Sequence, residues 1–267
     1  METNIEALYE RVEKRQKNVS SKWLNLGYWE QTNCTEKACE MLFEKVIEQL
    51  NVSENANIFD AGFGYGIQDV FLLNKHPHVC ITGYNIIQKQ VDYANELINT
   101  KNLTNNIKLL HGNCVNTKLS SEQFDIVMAI ESAFQFNTRE LFFKEAYRLL
   151  KKDGQIVLAD CLPSPSFEAN DAFIKAGEKA GIPLSNQYNI DTYVEIMKNA
   201  GFVNINYIDI TDFVLRGAVK EVYSNNGWRS GDALIQDIND EDINKLMIEF
   251  THSTTIGKYY IIKANKN

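Results

Sequence analysis

The sequence predicts an α/β protein: a doubly wound, mainly parallel, seven-stranded sheet carrying a helical lid. Three observations predict it. Short apolar runs alternate with helix-period segments from about residue 57 to residue 162. The first of those runs closes in a glycine loop, "DAGFGYG", Asp60 to Gly66. Two further strand-like stretches, 203–211 and 258–265, follow beyond the alternating stretch. Strands that alternate with helices imply right-handed crossovers and a parallel sheet covered on both faces.

Each element has its own reason. Residues 1–20 read as an amphipathic helix, and "WLNLGYW" (23–29) as an aromatic-rich loop. "TEKACEMLFEKVIEQL" spaces Met41, Leu42, Val46, Ile47 and Leu50 at helical intervals. "NIFDAG" (57–62) is a short buried strand, and "IQDVFLLNK" a helix leaving the glycine loop. "VCITGYN" (79–85) is the second strand, "QKQVDYANELINTK" (88–101) a helix, and "IKLLHGN" (107–113) the third strand. "FDIVMAIES" (124–132) sets Phe, Ile, Val and Met close together, as in a strand buried on both faces. "TRELFFKEAYRLLKKDG" (138–154) reads as a helix stopped by its glycine, and "QIVLADC" (155–161) as the fifth strand. "IDTYVEIMKNAGF" is a helix, and the remaining strands are "VNINYIDIT" and "KYYIIKAN". No domain boundary stands out, so residues 1–267 are expected to form one domain. The arm 1–30 and segments 162–187 and 212–255 would be its lid. That lid is rich in aromatics: Phe167, Phe173, Phe213, Tyr223 and Trp228.

Composition narrows the partners. A chain of 267 residues with 44% hydrophobic content can bury a full core. Its net charge of -8 argues against a nucleic-acid backbone or an anionic membrane as main partner. No apolar targeting segment and no membrane-length run is visible, so a cytoplasmic protein is expected. The 5 cysteines are scattered and never spaced as CxxC, which favours free buried thiols over disulfides or a metal site. Oligomeric state is left open.

The glycine loop sets the chemistry. Glycine lets a backbone approach a ligand closely. In a dinucleotide fingerprint the third glycine falls one place later, at Ile67, and no phosphate-binding lysine follows. Asp60 would repel a pyrophosphate and suit a cationic ligand. Asp-x-Gly-x-Gly-x-Gly at the end of a first strand resembles the cofactor motif of class I S-adenosylmethionine-dependent methyltransferases. That resemblance implies a Rossmann-like fold and S-adenosylmethionine held by Asp60, Gly62, Gly64 and Gly66. "ITGYNIIQKQVDYA" resembles the small-molecule branch holding tocopherol, sarcosine and macrolide-sugar methyltransferases. There Asn85, Ile86 and Gln90 would stand at the cofactor, Asn85 on the ribose. "LLHGNCVN" places Asn113 and Cys114 where the family has Asp and Ala, with Asn113 taking the adenine amino group. "AIESAFQFNTRELFFKEAYRLLKKDG" resembles the branch's fourth-strand stretch, which implies Ile130 at the cofactor. "LNLGYWE" resembles an N-terminal Gly-Tyr-Trp, implying Tyr28 and Trp29 over the methionine end; hydrophobic anchoring of the arm is the equal alternative.

For catalysis the candidates are Glu131, ending the fourth strand, Gln135, where the branch often has His, and Asp160, ending the fifth. An amide does not titrate near neutrality, so Asp160 is the favoured base or orienting group. His252, on a late helix, is a weak candidate for the pocket roof. The expected function is methyl transfer to a small, hydrophobic or natural-product acceptor at O, N or C. A cofactor-binding protein that catalyses a non-methylating reaction such as cyclisation is the alternative. A nonenzymatic binding module, a nicotinamide enzyme and a lipid cyclopropane synthase fit less well.

Overall fold

The computed structural model describes residues 22–164, 170–224 and 238–267. The helix expected over residues 1–20, and Phe167 and Trp228, lie outside the described residues. In chain order the elements are α1 (Thr35–Ile47), β1 (Asn57–Ala61), α2 (Ile67–Lys75), β2 (Cys80–Asn85) and α3 (Gln88–Thr100). Next come β3 (Ile107–His111), β4 (Phe124–Ile130), α4 (Arg139–Leu149) and β5 (Leu150–Leu162). The chain ends with α5 (Asp171–Lys179), α6 (Ile190–Asn199), β6 (Val203–Asp209), α7 (Thr211–Ser224), α8 (Asp240–Thr254) and β7 (Lys258–Asn265).

Seven strands form one sheet in the order β3-β2-β1-β4-β5-β7-β6. Strands β1 to β5 pair in parallel. β7 runs antiparallel between β5 and β6. The expected mainly parallel α/β sheet is therefore the fold.

Side chains on a strand alternate between faces, so each strand feeds two cores. Ile58, Met128, Val157, Ala159, Cys161 and Ile261 pack with α1, α2, α3 and α7 on one face. Phe59, Val127, Leu158, Leu162, Tyr260 and Ile262 pack with α4 and α6 on the other. Polar residues at the helix starts explain where those helices begin. Asn170, Asn189 and Asn239 side chains accept the exposed backbone N–H groups of α5, α6 and α8, and Thr138 does so for α4.

One boundary differs from expectation. The helix expected to run to Gly154 stops at Leu149, and β5 begins at once. Leu150 pairs with Phe124 across the sheet, and Lys151 reaches the Asp125 carboxylate at 2.8 Å. Strand pairing and that ion pair outcompete a helical period that the residues alone would also satisfy.

Candidate active site

A cavity of about 720 Å³ opens at the carboxyl ends of β1, β2, β4 and β5. Gly62, Gly64, Asn85, Ile130 and Cys161 form its floor. Three separate segments cover it: the arm from Lys22 to Leu26, the end of α5 with Pro183 and Leu184, and Phe250, Thr254 and Ile256 from the end of α8.

The loop glycines divide the work. Gly62 has φ +88, and a Cβ there would fall 2.5 Å from the Ser132 Cβ. Gly64 has φ +59 and would meet the Leu24 side chain of the arm at 2.8 Å. Both border the cavity. Gly66 does not; its missing Cβ leaves room for Leu109 and Ala94, so it serves the packing of α2.

Next to the loop, Asn85 is buried and borders the cavity with Ile86, Gln90, Asn113 and Cys114. Its amide donates to Gly64 O (3.1 Å) and to Gln90 Oε1 (2.7 Å), and accepts from the Ile87 N–H (3.2 Å). Asn85 thus ties the glycine loop to the start of α3. Gln90 Nε2 is left buried without an acceptor. Buried polar groups are almost always paired, so this donor at the cavity wall fits a ligand oxygen. Asn113 Oδ1 already accepts from the Val115 N–H (3.0 Å), which leaves its second lone pair for a ligand. Together, the cavity-lining backbone of Gly62 and Gly64 and the orphaned Gln90 amide fit a nucleoside with ribose hydroxyls.

Asp60 is not on the cavity surface. It is fully buried, and Gln68, which does border the cavity, donates to its Oδ2. Asp69 lies beside it in the first turn of α2 and is buried as completely. Burial pushes the Asp60 carboxyl up to about 7, against the Gln68 hydrogen bond. Burial also pushes Asp69 up, and the neighbouring Asp60 adds to it.

Glu131 and Gln135 both border the cavity. Glu131 sits at φ +49, a left-handed turn that few non-glycine residues adopt. The turn aims its carboxylate at two donors, the Leu26 N–H (2.6 Å) and the Tyr259 O–H (2.7 Å). Such strain collects at functional sites.

Asp160 corrects the sequence reading. On β5 the strand alternation turns Cys161 to the cavity and Asp160 to the opposite core. Asp160 is fully buried against Arg139 Nε (2.9 Å) and Nη2 (3.3 Å), the Tyr193 O–H (3.0 Å) and the Cys161 N–H (2.9 Å). Every direction open to an acceptor is taken by the protein. Arg139 continues the network to Cys161 O and to Asn186. Asn186 in turn donates to Phe134 O (3.1 Å) and Phe136 O (2.6 Å), the two carbonyls flanking Gln135.

Tyr28 and Trp29 are a second correction. Neither borders the cavity. Tyr28 stacks on Phe213 with centroids 5.0 Å apart, and the Trp29 backbone N–H donates to Phe213 O at 2.9 Å. They anchor the arm on α7, and the residues just before them, Trp23 to Leu26, roof the site. His252 is exposed and stands against Phe173. The sequence reading also missed Gln68, Phe63 and Glu178. Gln68 and Phe63 lie inside or one turn beyond the quoted motif, where proximity alone nominates them. Glu178 has no such signal. All five cysteines are free thiols, with Cys39, Cys114 and Cys161 buried. No helix among the described residues is long and apolar enough to cross a membrane.

Known proteins agree with this geometry. A methyltransferase-domain family model matches residues 59–158, from β1 to β5. Erythromycin 3''-O-methyltransferase of Saccharopolyspora erythraea is 30% identical over 202 residues, covering 72% of this chain and 66% of that protein. Among solved structures, the cyclase SpnF superposes with a TM-score of 0.75 at 15% identity, over 100% of this chain and 96% of that one. Geranyl diphosphate C-methyltransferase from Streptomyces coelicolor A3(2), solved with S-adenosyl-L-homocysteine, gives 0.70 at 16% identity over 87% and 81%. These two superpositions speak for the fold. The family match and the 30% identical relative, with the glycine loop and the strand order, lead to one conclusion: the chain belongs to the class I S-adenosylmethionine-dependent methyltransferases.

Proposed function

We propose that the protein methylates a hydroxyl oxygen of a small, largely apolar natural product. The observation that carries this is one continuous cavity with two kinds of wall. One is the glycine loop with Asn85 and Gln90; the other is Phe134, Phe136, Leu184 and Phe250 around Gln135. The first suits a nucleoside cofactor and the second a mostly apolar acceptor with a polar group to orient. The named O-methyltransferase relative supports oxygen as the atom methylated.

S-Adenosylmethionine, when bound, supplies a methyl already activated for in-line displacement. The chain then has to align the acceptor, exclude water and take up a proton. The arm and the α5 and α8 ends exclude water. The Gln135 amide can orient the acceptor but cannot hold its proton. Glu131, at the end of β4 and on the cavity surface, is the carboxylate placed to receive it.

Glu131→Gln tests this. The amide keeps an oxygen for the Leu26 and Tyr259 donors and removes the base. Turnover should fall by about 100-fold or more, with cofactor affinity by calorimetry nearly unchanged. Full activity in that variant would remove Glu131 from the chemistry. The acceptor can be found by screening extracts with isotope-labelled cofactor for products heavier by one methylene. The locked Asp160 and the untitratable Gln135 favour one second reading, a templated reaction without methyl transfer. A product of unchanged mass and no S-adenosylhomocysteine would establish it.

A further inference from the structure

Asp60 and Asp69 stand on either side of the glycine loop, one ending β1 and one opening α2. Asp60 Oδ1 and both oxygens of Asp69 receive no hydrogen bond from the protein. Yet the two carboxyl groups interact directly. Two carboxylates in contact and out of water cannot both be ionised. One proton between them supplies the missing hydrogen bond. Burial, each other, Gln68 and the backbone are what bear on the pair. From the loop after β3 the Cys114 thiol faces it, kept neutral because burial pushes it far up. The positive end of α2 favours one negative charge here.

We propose that Asp60 and Asp69 hold at most one negative charge between them, sharing one proton once the other has left, and that this charge beside the glycine loop selects the sulfonium cofactor over its thioether product. This rests on the reading of the cavity as the S-adenosylmethionine site. S-Adenosylmethionine and S-adenosylhomocysteine differ by one methyl and one positive charge. Their other groups are common to both, including the titrating α-amino group. A cation at the loop favours the ionised pair, so binding the sulfonium expels a proton to solvent when the pair is still doubly protonated. The thioether does not. Product inhibition would therefore weaken as pH rises.

Isothermal titration of the full chain with each ligand, in buffers of different ionisation enthalpy, tests this. Between about pH 6 and about pH 8, the preference for S-adenosylmethionine should grow by about tenfold. On the acid side its binding should release more protons than that of S-adenosylhomocysteine, by a sizeable fraction of one. Asp60→Asn should hold the preference at its acid value throughout and abolish the difference in proton release. Asp69→Asn keeps a donor and should retain the preference; Asp69→Leu removes the donor and should hold it low. Equal proton release by both ligands in the wild type, with a constant preference, would overturn the proposal, and that measurement needs no variant to fold. If neither ligand binds at any pH, it is the cofactor site itself that has been misplaced.

Discussion

Asp160 shows how one residue's face decides its role. Its carboxylate neutralises Arg139 inside the core between α4, α6 and the sheet, where both side chains are inaccessible to solvent. Removing one partner of a buried ion pair leaves an uncompensated charge and costs about 3–5 kcal/mol. Asp160→Asn should therefore lower unfolding stability by roughly that amount in urea titrations. The folded fraction should bind cofactor normally. Had Asp160 been the base, stability would hold and turnover would collapse. The position of the residue at a strand end was legible in the sequence. Its direction was legible too, since it shares a face with the buried Leu158 and Leu162, but a carboxylate near the end of a central strand also has the chemistry of a base. Asp60 gives the corresponding pH prediction. Its folded carboxyl titrates at about 7, above the ordinary 3.8, because burial penalises its charge. Between those values the folded state holds more protons than the unfolded, so stability is lost as pH rises through the window. Thermal melts of the ligand-free protein should show a higher midpoint at about pH 6 than at about pH 8, and Asp60→Asn should flatten the difference. Glu145 acts in the opposite sense at low pH. Burial opposes its ionisation, but hydrogen bonds from Arg148 and Thr117 hold it down to about 2. Its contribution disappears only in strong acid.

At the scale of elements, the arm is the part that the sequence placed least well. Helices and buried strands announce themselves by period, and nearly every one of them sits where the apolar spacing put it. Loops have no period. "WLNLGYW" could only be read through its aromatics, and its two most conspicuous residues turned out to be anchors. The anchor point is specific. Trp29 packs directly on Gly217 of α7, in space that any side chain there would occupy. Gly217→Val should expel Trp29 and loosen the arm, while α7 tolerates a valine at a cost well below that of unfolding the chain. The expected result is weaker cofactor binding together with faster hydrogen exchange over residues 22–30, in a protein of near-normal helix content. The Asn186 stitch between the α5–α6 connection and the carbonyls flanking Gln135 was equally invisible. A lone Asn in a polar stretch carries no signal until the turn it closes is known.

The whole molecule was easier to read than its parts. A sheet of this order needs parallel crossovers, a glycine loop at its centre and apolar strands, and all three leave marks in the sequence. The cavity between sheet and lid depends on three distant segments, and no local pattern relates them. Because it lies where all of them meet, a bound cofactor should stabilise the entire fold. At a ligand concentration about 100 times its dissociation constant the gain is about 2.7 kcal/mol, or a rise of about 5–10 °C in Tm for a chain of this size. S-Adenosylhomocysteine should produce that shift in a thermal melt and NAD should produce none. Gly64→Val, which puts a branched side chain into the φ +59 turn beneath Leu24, should abolish the shift.

The antiparallel place of β7 carries a consequence for biosynthesis. A ribosome delivers β1 through β5 first, and those strands already contain the glycine loop and most of the cavity floor. β6 follows, but it pairs only with β7 and has nothing to join until that strand emerges. Throughout that interval the nascent sheet presents β5 as a bare edge, with Ile156, Leu158 and Cys161 still uncovered on that side. Exposed edges of this kind recruit other chains, so the unfinished polypeptide is the form most prone to aggregate and most in need of a chaperone. The same late strand brings the Tyr259 hydroxyl to Glu131. Emergence of β7 therefore brings, in one step, closure of the sheet and fastening of the residue proposed to take the proton.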